Sequence, residues 1–383
     1  MDLDMDKVGA FAQHVAGAFT GAATTAMVVV GDELGLYRAL AGTGPVTPAE
    51  LARKTGTHER YVREWLAQQA AAGFLSYDAG TGTFLLPPEH AAVLATDDSP
   101  AAMAGAASLP AGMFRGTGKI AEAFRTGRGI AWDEQDPAIF AATERFWQVS
   151  YRTSLISDWI PALGGVADRL QAGAQVADIG CGHGAALILL AQQYPRSRFT
   201  GYDSHPASIE MARSRAGKAG VADLVRFEVA EAGRYPADGY DLVCFFDVLH
   251  DLGDPVGAAA HARAALAPDG TLMLVEPLTA GDDLAANLAS PTAAMNYAAS
   301  TFLCVPASLS QPVGLGLGSQ AGETQLHAVL AEAGYNHIRR VAQNQFNMVL
   351  EAGRNPAGRQ RATNQGHGRI GSPQNPPQSA RNA

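Results

Sequence analysis

Three cysteines in 383 residues, Cys181, Cys244 and Cys304, are too few and too scattered for a disulfide framework or a zinc site. Their scarcity fits a reducing cytoplasm. Charge is sparse as well, at 17% of residues against 47% hydrophobic, the balance of an ordinary globular chain long enough for two domains. Basic charge is the scarcer sign. The net charge is −9, and the tail beyond Glu351 holds five arginines (Arg354, Arg359, Arg361, Arg369, Arg381) and no acid, so the residues before it carry −14. A body this acidic argues against general nucleic-acid binding, which needs clustered Lys and Arg to neutralise phosphates. The opening Met-Asp-Leu-Asp-Met-Asp lacks the basic start of a secretory signal, and the apolar run Val15 to Gly31 is diluted with Ala, Gly and Thr. It reads as a packing helix, with no membrane span.

What the chain does have is one stretch that states a chemistry, Val176-Ala-Asp-Ile-Gly-Cys-Gly-His-Gly184. Val176 to Ile179 reads as a buried strand, the three glycines as a turn that brings bare backbone to a ligand, and Ala185 to Tyr194 as a helix stopped by Pro195. A ligand is expected at that helix N-terminus. Gly180, Gly182 and Ala185 also satisfy the dinucleotide pattern G-x-G-x-x-G/A, so the glycines leave a NAD-linked oxidoreductase open. Asp178 separates the two readings: a carboxylate two residues before the first glycine repels a pyrophosphate and suits an ammonium group.

The acidic-x-Gly-x-Gly-x-Gly order from Asp178 to Gly184 resembles the cofactor loop of class I S-adenosylmethionine (SAM) dependent methyltransferases. That resemblance implies a Rossmann-like α/β fold with a seven-stranded, mostly parallel sheet whose last strand inserts antiparallel. It places SAM against Asp178, Gly180, Cys181, Gly182 and Gly184. Strands are expected at Val176 to Ile179, Arg198 to Tyr202, Val225 to Val229, Asp241 to Phe246, Thr271 to Val275, Ile338 to Val341 and Phe346 to Leu350. Asp203 then ends the second strand, 23 residues after Gly180, where a carboxylate accepts the ribose hydroxyls. Glu231, in Ala230-Glu231-Ala232, stands where the family has an acid on the adenine amino group, and Phe246 closes the fourth strand as a further cofactor contact.

Val248-Leu-His-Asp-Leu-Gly-Asp254 follows that strand and resembles the His-Asp-Trp-Ser-Asp segment of plant-type O-methyltransferases, in which the histidine is the base. The resemblance makes His250 the candidate catalytic base, a neutral imidazole near pH 7. Glu276 ends strand five, next to strand four in the expected topology, so its carboxylate is placed to reach the His250 ring as an orienting partner. Many class I methyltransferases that need no base have Leu-His here, and Phe246 replaces the Lys of the plant-type enzymes, so a ligand-wall histidine stays open. A second Gly-x-Gly-x-Gly at Gly314, Gly316 and Gly318 has no strand before it and reads as a flexible connection or lid hinge.

Before the α/β half, Thr47-Pro-Ala-Glu50 is a capping box, Tyr61, Val62, Trp65, Leu66 and Ala70 recur at helical spacing, and Phe74 to Tyr77 and Thr83 to Leu86 flank a turn-rich tip. This resembles a winged helix-turn-helix. From Val46 to Asp98 it has four basic residues against seven acids, which favours dimerisation over DNA recognition. Phe140, Trp147 and Tyr151 fall on one helical face if their segment is continuous. The expected division is 1–98 winged-helix dimerisation domain, 99–172 helical linker and pocket region, 173–352 SAM-binding domain and 353–383 disordered tail. The expected activity is methyl transfer to a small, aromatic or apolar hydroxyl-bearing metabolite by a homodimer. A SAM- or ligand-responsive winged-helix regulator is the alternative.

Overall fold

The computed structural model describes residues 3–353. The tail expected to be disordered lies outside these residues.

A helix of 29 residues, Met5–Glu33, opens the chain, capped where Asp4 accepts a hydrogen bond from the Lys7 N–H. It is longer than the expected Val15 to Gly31, and it packs less. Only Thr24, Val28, Gly31 and Asp32 are buried, while Phe11 and Phe19 are 68% and 71% exposed. Among the described residues it is also the one helix whose length and apolarity would suffice to cross a bilayer. Its last turns dock because Gly31 has no side chain: a Cβ there would stand 2.5 Å from the Trp65 ring.

The winged helix follows. Thr47 and Glu50 form the expected capping box on Pro48–Thr55, and Gly56 ends that helix at φ 66°. Glu59–Ala71 comes next, then the hairpin of β1 (Ser76–Asp78) and β2 (Thr83–Leu85). Val62, Trp65 and Leu66 close its core against Leu36, Tyr37, Leu40 and Leu51, with Tyr37 and Trp65 edge-to-face at 5.0 Å.

Helices Ser108–Thr126 and Pro137–Ser150 then lead to the α/β half. Pro137–Ser150 continues into a wider π-helical stretch, Tyr151–Trp159, which changes the rotation per residue. Of the three aromatics expected on one face, Trp147 and Tyr151 pack with one core cluster and Phe140 does not. Phe140 meets Trp132 and His205, whereas Tyr151 meets Phe246 and Trp159 in the core.

The sheet comprises β3 (Gln175–Ile179), β4 (Arg198–Asp203), β5 (Val225–Val229), β6 (Tyr240–Phe246), β7 (Leu266–Pro277), β8 (His337–Gln343) and β9 (Asn347–Gly353). Its order is β5-β4-β3-β6-β7-β9-β8. The first five are parallel, and β9 inserts antiparallel between β7 and β8, as expected. Alternation along β6 sends Leu242, Cys244 and Phe246 to one helical layer and Val243 and Phe245 to the other, so the sheet is buried on both faces. β3 and β4 run outward from the point where the strand order reverses, and the carboxyl ends beside that point are where open α/β sheets bind ligands.

Candidate active site

Glycine geometry shapes the loop after β3. Gly180, Gly182 and Gly184 have φ of 73°, 51° and 79°, a region that favours glycine. Packing adds a second requirement at two of them. A Cβ on Gly180 would lie 2.6 Å from the Val248 side chain and one on Gly184 2.5 Å from the Phe227 ring, whereas Gly182 faces open space. The loop is stitched to the end of β4: Gly180 N–H and Cys181 N–H both donate to the Tyr202 carbonyl, at 2.7 and 3.0 Å. Gly182 N–H donates to Asp203 Oδ2 at 2.9 Å, and Asp203 Oδ1 accepts from His205 N–H at 2.8 Å. Helix Ala185–Gln193 starts directly beyond.

Asp178 sits beneath this loop, 2% exposed, and its Oδ1 is buried without a hydrogen-bond partner. Burial, then the neighbouring Asp203, push its carboxyl well above the usual range. A buried acceptor that costs this much to ionise is what a ligand cation would relieve. The ammonium of SAM fits that requirement, and the two-oxygen carboxylate of Asp203 retains lone pairs for ribose hydroxyls. Asp203 is itself raised, because its burial outweighs the two N–H bonds. Cys181 is half-buried and its thiol is pushed well up by burial, so its place in the loop is that of an uncharged side chain. Phe246 is buried at the end of β6, edge-to-face with Tyr151 at 5.4 Å. Glu231 is brought alongside Asp203 by the bond from Ala230 N–H to the Asp203 carbonyl, but its side chain is 65% exposed and pairs with Arg234.

The second half of the site lies at the ends of β6 and β7. Glu276 is 1% exposed; its Oε1 accepts from Leu249 N–H at 2.9 Å and its Oε2 pairs with His250 Nδ1. The histidine sits in the single turn Leu249–Asp251, with Nε2 3.1 Å from Asp251 Oδ1 and the Cys304 thiol beside it. Burial disfavours protonation of this ring, but Asp251 and Glu276 outweigh it and raise His250 well above its ordinary value. The sequence expectation of a neutral imidazole near pH 7 thus meets two carboxylates that favour the protonated ring. Cys304, distant in sequence, joins His250 and Asp251 with donor atoms within 4.8 Å of one another, and burial lifts its thiol to about 11.

Residues that sequence reasoning passed over complete the floor. Asp247, between Phe246 and the Val-Leu-His-Asp segment, is held at φ 56°, a strained position for a residue with a side chain. Its Oδ1 accepts from Asn347 Nδ2 at 2.8 Å and its Oδ2 lies 3.5 Å from the Tyr151 hydroxyl. Burial, then Glu276, raise its carboxyl well above the usual range. Its position at a central strand end was the available signal; Asn347, which begins β9, gave none. The second glycine run, expected as a flexible connection or lid hinge, is hydrogen-bonded at three points. Leu315 N–H donates to the Gly253 carbonyl at 3.0 Å, Gly316 N–H to Ser308 Oγ at 2.9 Å and Gly318 N–H to the His250 carbonyl at 3.3 Å, fastening the insertion to the histidine turn. Asp254 caps Pro255–Ala265, accepting from Gly257 N–H at 2.7 Å.

Known proteins share both halves of this plan. Residues 22–96 match a family model described as an Rv2258c-like winged HTH domain, and residues 170–334 one described as a methyltransferase domain. Acetylserotonin O-methyltransferase of Mus musculus is 26% identical over 316 residues, which cover 78% of this chain and 77% of its own. The 27-O-demethylrifamycin SV methyltransferase of Amycolatopsis mediterranei is 32% identical over 145 residues, 37% of this chain and 48% of its own. Among solved structures, human N-acetylserotonin methyltransferase in complex with SAM aligns with a TM-score of 0.66 at 18% identity, covering 92% of this chain and 99% of that one.

Proposed function

We propose that this chain, a methyltransferase domain behind a winged-helix domain, transfers the methyl group of SAM to a hydroxyl of a small aromatic or apolar acceptor, working as a homodimer in the cytoplasm. The observation that carries the reading is the buried carboxylate of Asp178, whose Oδ1 has no partner, set directly under a glycine loop. A pyrophosphate would meet repulsion there, and an ammonium group relief.

SAM, when bound, supplies an electrophilic methyl on a sulfonium, so little further activation is needed. The chain has to hold the cofactor, align the acceptor oxygen within about 3–3.5 Å of the methyl, and accept one proton. Asp178 and the loop from Gly180 to Gly184 would hold the methionyl end, Asp203 the ribose, and Phe246 the wall beside them. Glu231, exposed at the rim, would reach the adenine. For the proton we assign the His250–Glu276 pair. Glu276 fixes the ring through Nδ1, so Nε2, which rests 3.1 Å from Asp251 Oδ1, is the atom that would exchange the proton, and the raised basicity of the imidazole makes it a strong acceptor once deprotonated. Asp247 lines the same floor, between Phe246 and Val248.

The direct test is a screen of phenols and other small hydroxyl compounds with methyl-labelled SAM and the purified full chain. Label transferred to acceptor oxygen is the expected result; label transferred only to nitrogen or carbon acceptors would overturn the hydroxyl assignment.

A further inference from the structure

Glu144 and Arg145 are consecutive on helix Pro137–Ser150, about 100° apart around its axis, and they face different parts of the molecule. Glu144 turns to the α/β half. Its carboxylate, 13% exposed, accepts from His183 Nδ1 at 2.7 Å and pairs with Arg215, while Gln148 Nε2 donates to it at 2.8 Å. His183 lies between Gly182 and Gly184 in the cofactor loop. Arg215 lies on helix Pro206–Lys218, which follows Asp203. One carboxylate from outside the Rossmann-like half thus holds both segments that flank the cofactor position.

Arg145 turns the other way. It pairs with Asp32, at the end of the long first helix, and with Asp97, past the winged helix, at 2.7 Å. Asp32 is 10% exposed at its side chain and is shared with Arg38. The arginine is seated closely: a Cβ on Gly105 would lie 2.7 Å from its Nε, so the adjoining turn Ala104–Ala107 admits it by having glycine there. The two residues therefore form a short mechanical link from the N-terminal domain to the glycine loop.

Resting on the SAM-binding reading above, we propose that Glu144 is a positioning residue for the cofactor, and that through Arg145 the N-terminal domain sets the affinity of the glycine loop for SAM. Nothing in this role requires Glu144 to touch the ligand. It fixes His183, and with it the backbone of Gly182 and Gly184, alongside the bond that Asp203 accepts from Gly182 N–H. Losing one partner of a buried, hydrogen-bonded charge cluster leaves the others unpaired, and the loop relaxes.

The test is calorimetric titration of SAM into the full-length protein and into Glu144→Gln, His183→Gln, the double variant and Arg145→Met, with steady-state kinetics and a thermal melt of each. Glu144→Gln is expected to weaken SAM binding and raise the KM for SAM by about tenfold, with kcat and the acceptor KM changed far less. The double variant should be no weaker than the worse single one, because both act through one contact. Arg145→Met should weaken SAM binding in the same direction. Unchanged SAM affinity in Glu144→Gln, even with a lowered Tm, reduces the contact to domain packing and overturns the proposal. Unchanged affinity in Arg145→Met overturns the link to the N-terminal domain. Wild-type protein that binds no SAM removes the cofactor reading itself, a result distinct from either.

Discussion

Two buried residues dominate the chemistry at the scale of single side chains. His250 is raised by Asp251 and Glu276 despite its burial, which favours the protonated ring, the form that cannot take the acceptor's proton. If the pair acts as assigned, kcat/KM should climb as pH rises past neutrality. Glu276→Gln removes one of the charges that raise the ring, so its rising limb should move to lower pH while the maximal rate falls, because Nδ1 loses its fixed partner. A pH profile identical in the two proteins, with one acceptor, contradicts the pairing. Asp178 gives a prediction of the opposite kind. Its folded carboxyl is raised above the unfolded value of about 3.9, so the native state binds the extra proton. The stability this contributes is fully present below about pH 4 and is lost as pH rises through the folded value. Asp178→Asn should therefore raise the Tm of ligand-free protein at pH 8, by roughly 2–4 °C, more than at pH 4, while abolishing SAM binding. A variant less stable than wild type at pH 8 would show that the carboxylate has a cationic or donor partner in the ligand-free protein.

At the scale of elements, the two outer glycines of the loop should be separable from the middle one by stability. Gly184→Ala meets the Phe227 ring and a positive φ together, whereas Gly182→Ala meets only the φ, so the first should lower the Tm of ligand-free protein clearly more than the second. Equal losses would mean that the ring moves aside. The strands were legible because alternation along β6 and the βα repeats are local patterns, and the capping box at Thr47 and Glu50 is written in four residues. So was the approach of Glu276 to His250, which follows from β6 and β7 being neighbours in the sheet. The contacts that were not legible join distant segments: Asn347 to Asp247, Gly318 to His250, Glu144 to His183. No local pattern encodes them. The pull of Asp251 on His250 was missed for the same reason, since Asp251 was read as part of a motif and not as a charge beside Nε2.

For the molecule as a whole, the long first helix is the part that one chain does not account for. Val8, Phe11, Val15 and Phe19 form a stripe at helical spacing, and both phenylalanines are largely exposed. The homodimer we propose would cover that stripe. Phe11→Asp with Phe19→Asp should then convert a dimer to a monomer in light scattering, and a wild-type chain that is monomeric at micromolar concentration would contradict it. All other functional assignments depend on which nucleotide the loop holds. The measurement that tests this most directly is a calorimetric titration of the purified chain, and of Asp178→Asn, with SAM, S-adenosylhomocysteine and NAD(H). The account predicts one SAM or S-adenosylhomocysteine bound per wild-type chain, none by Asp178→Asn, and no heat from NAD(H). Binding of NAD(H) without SAM would contradict it.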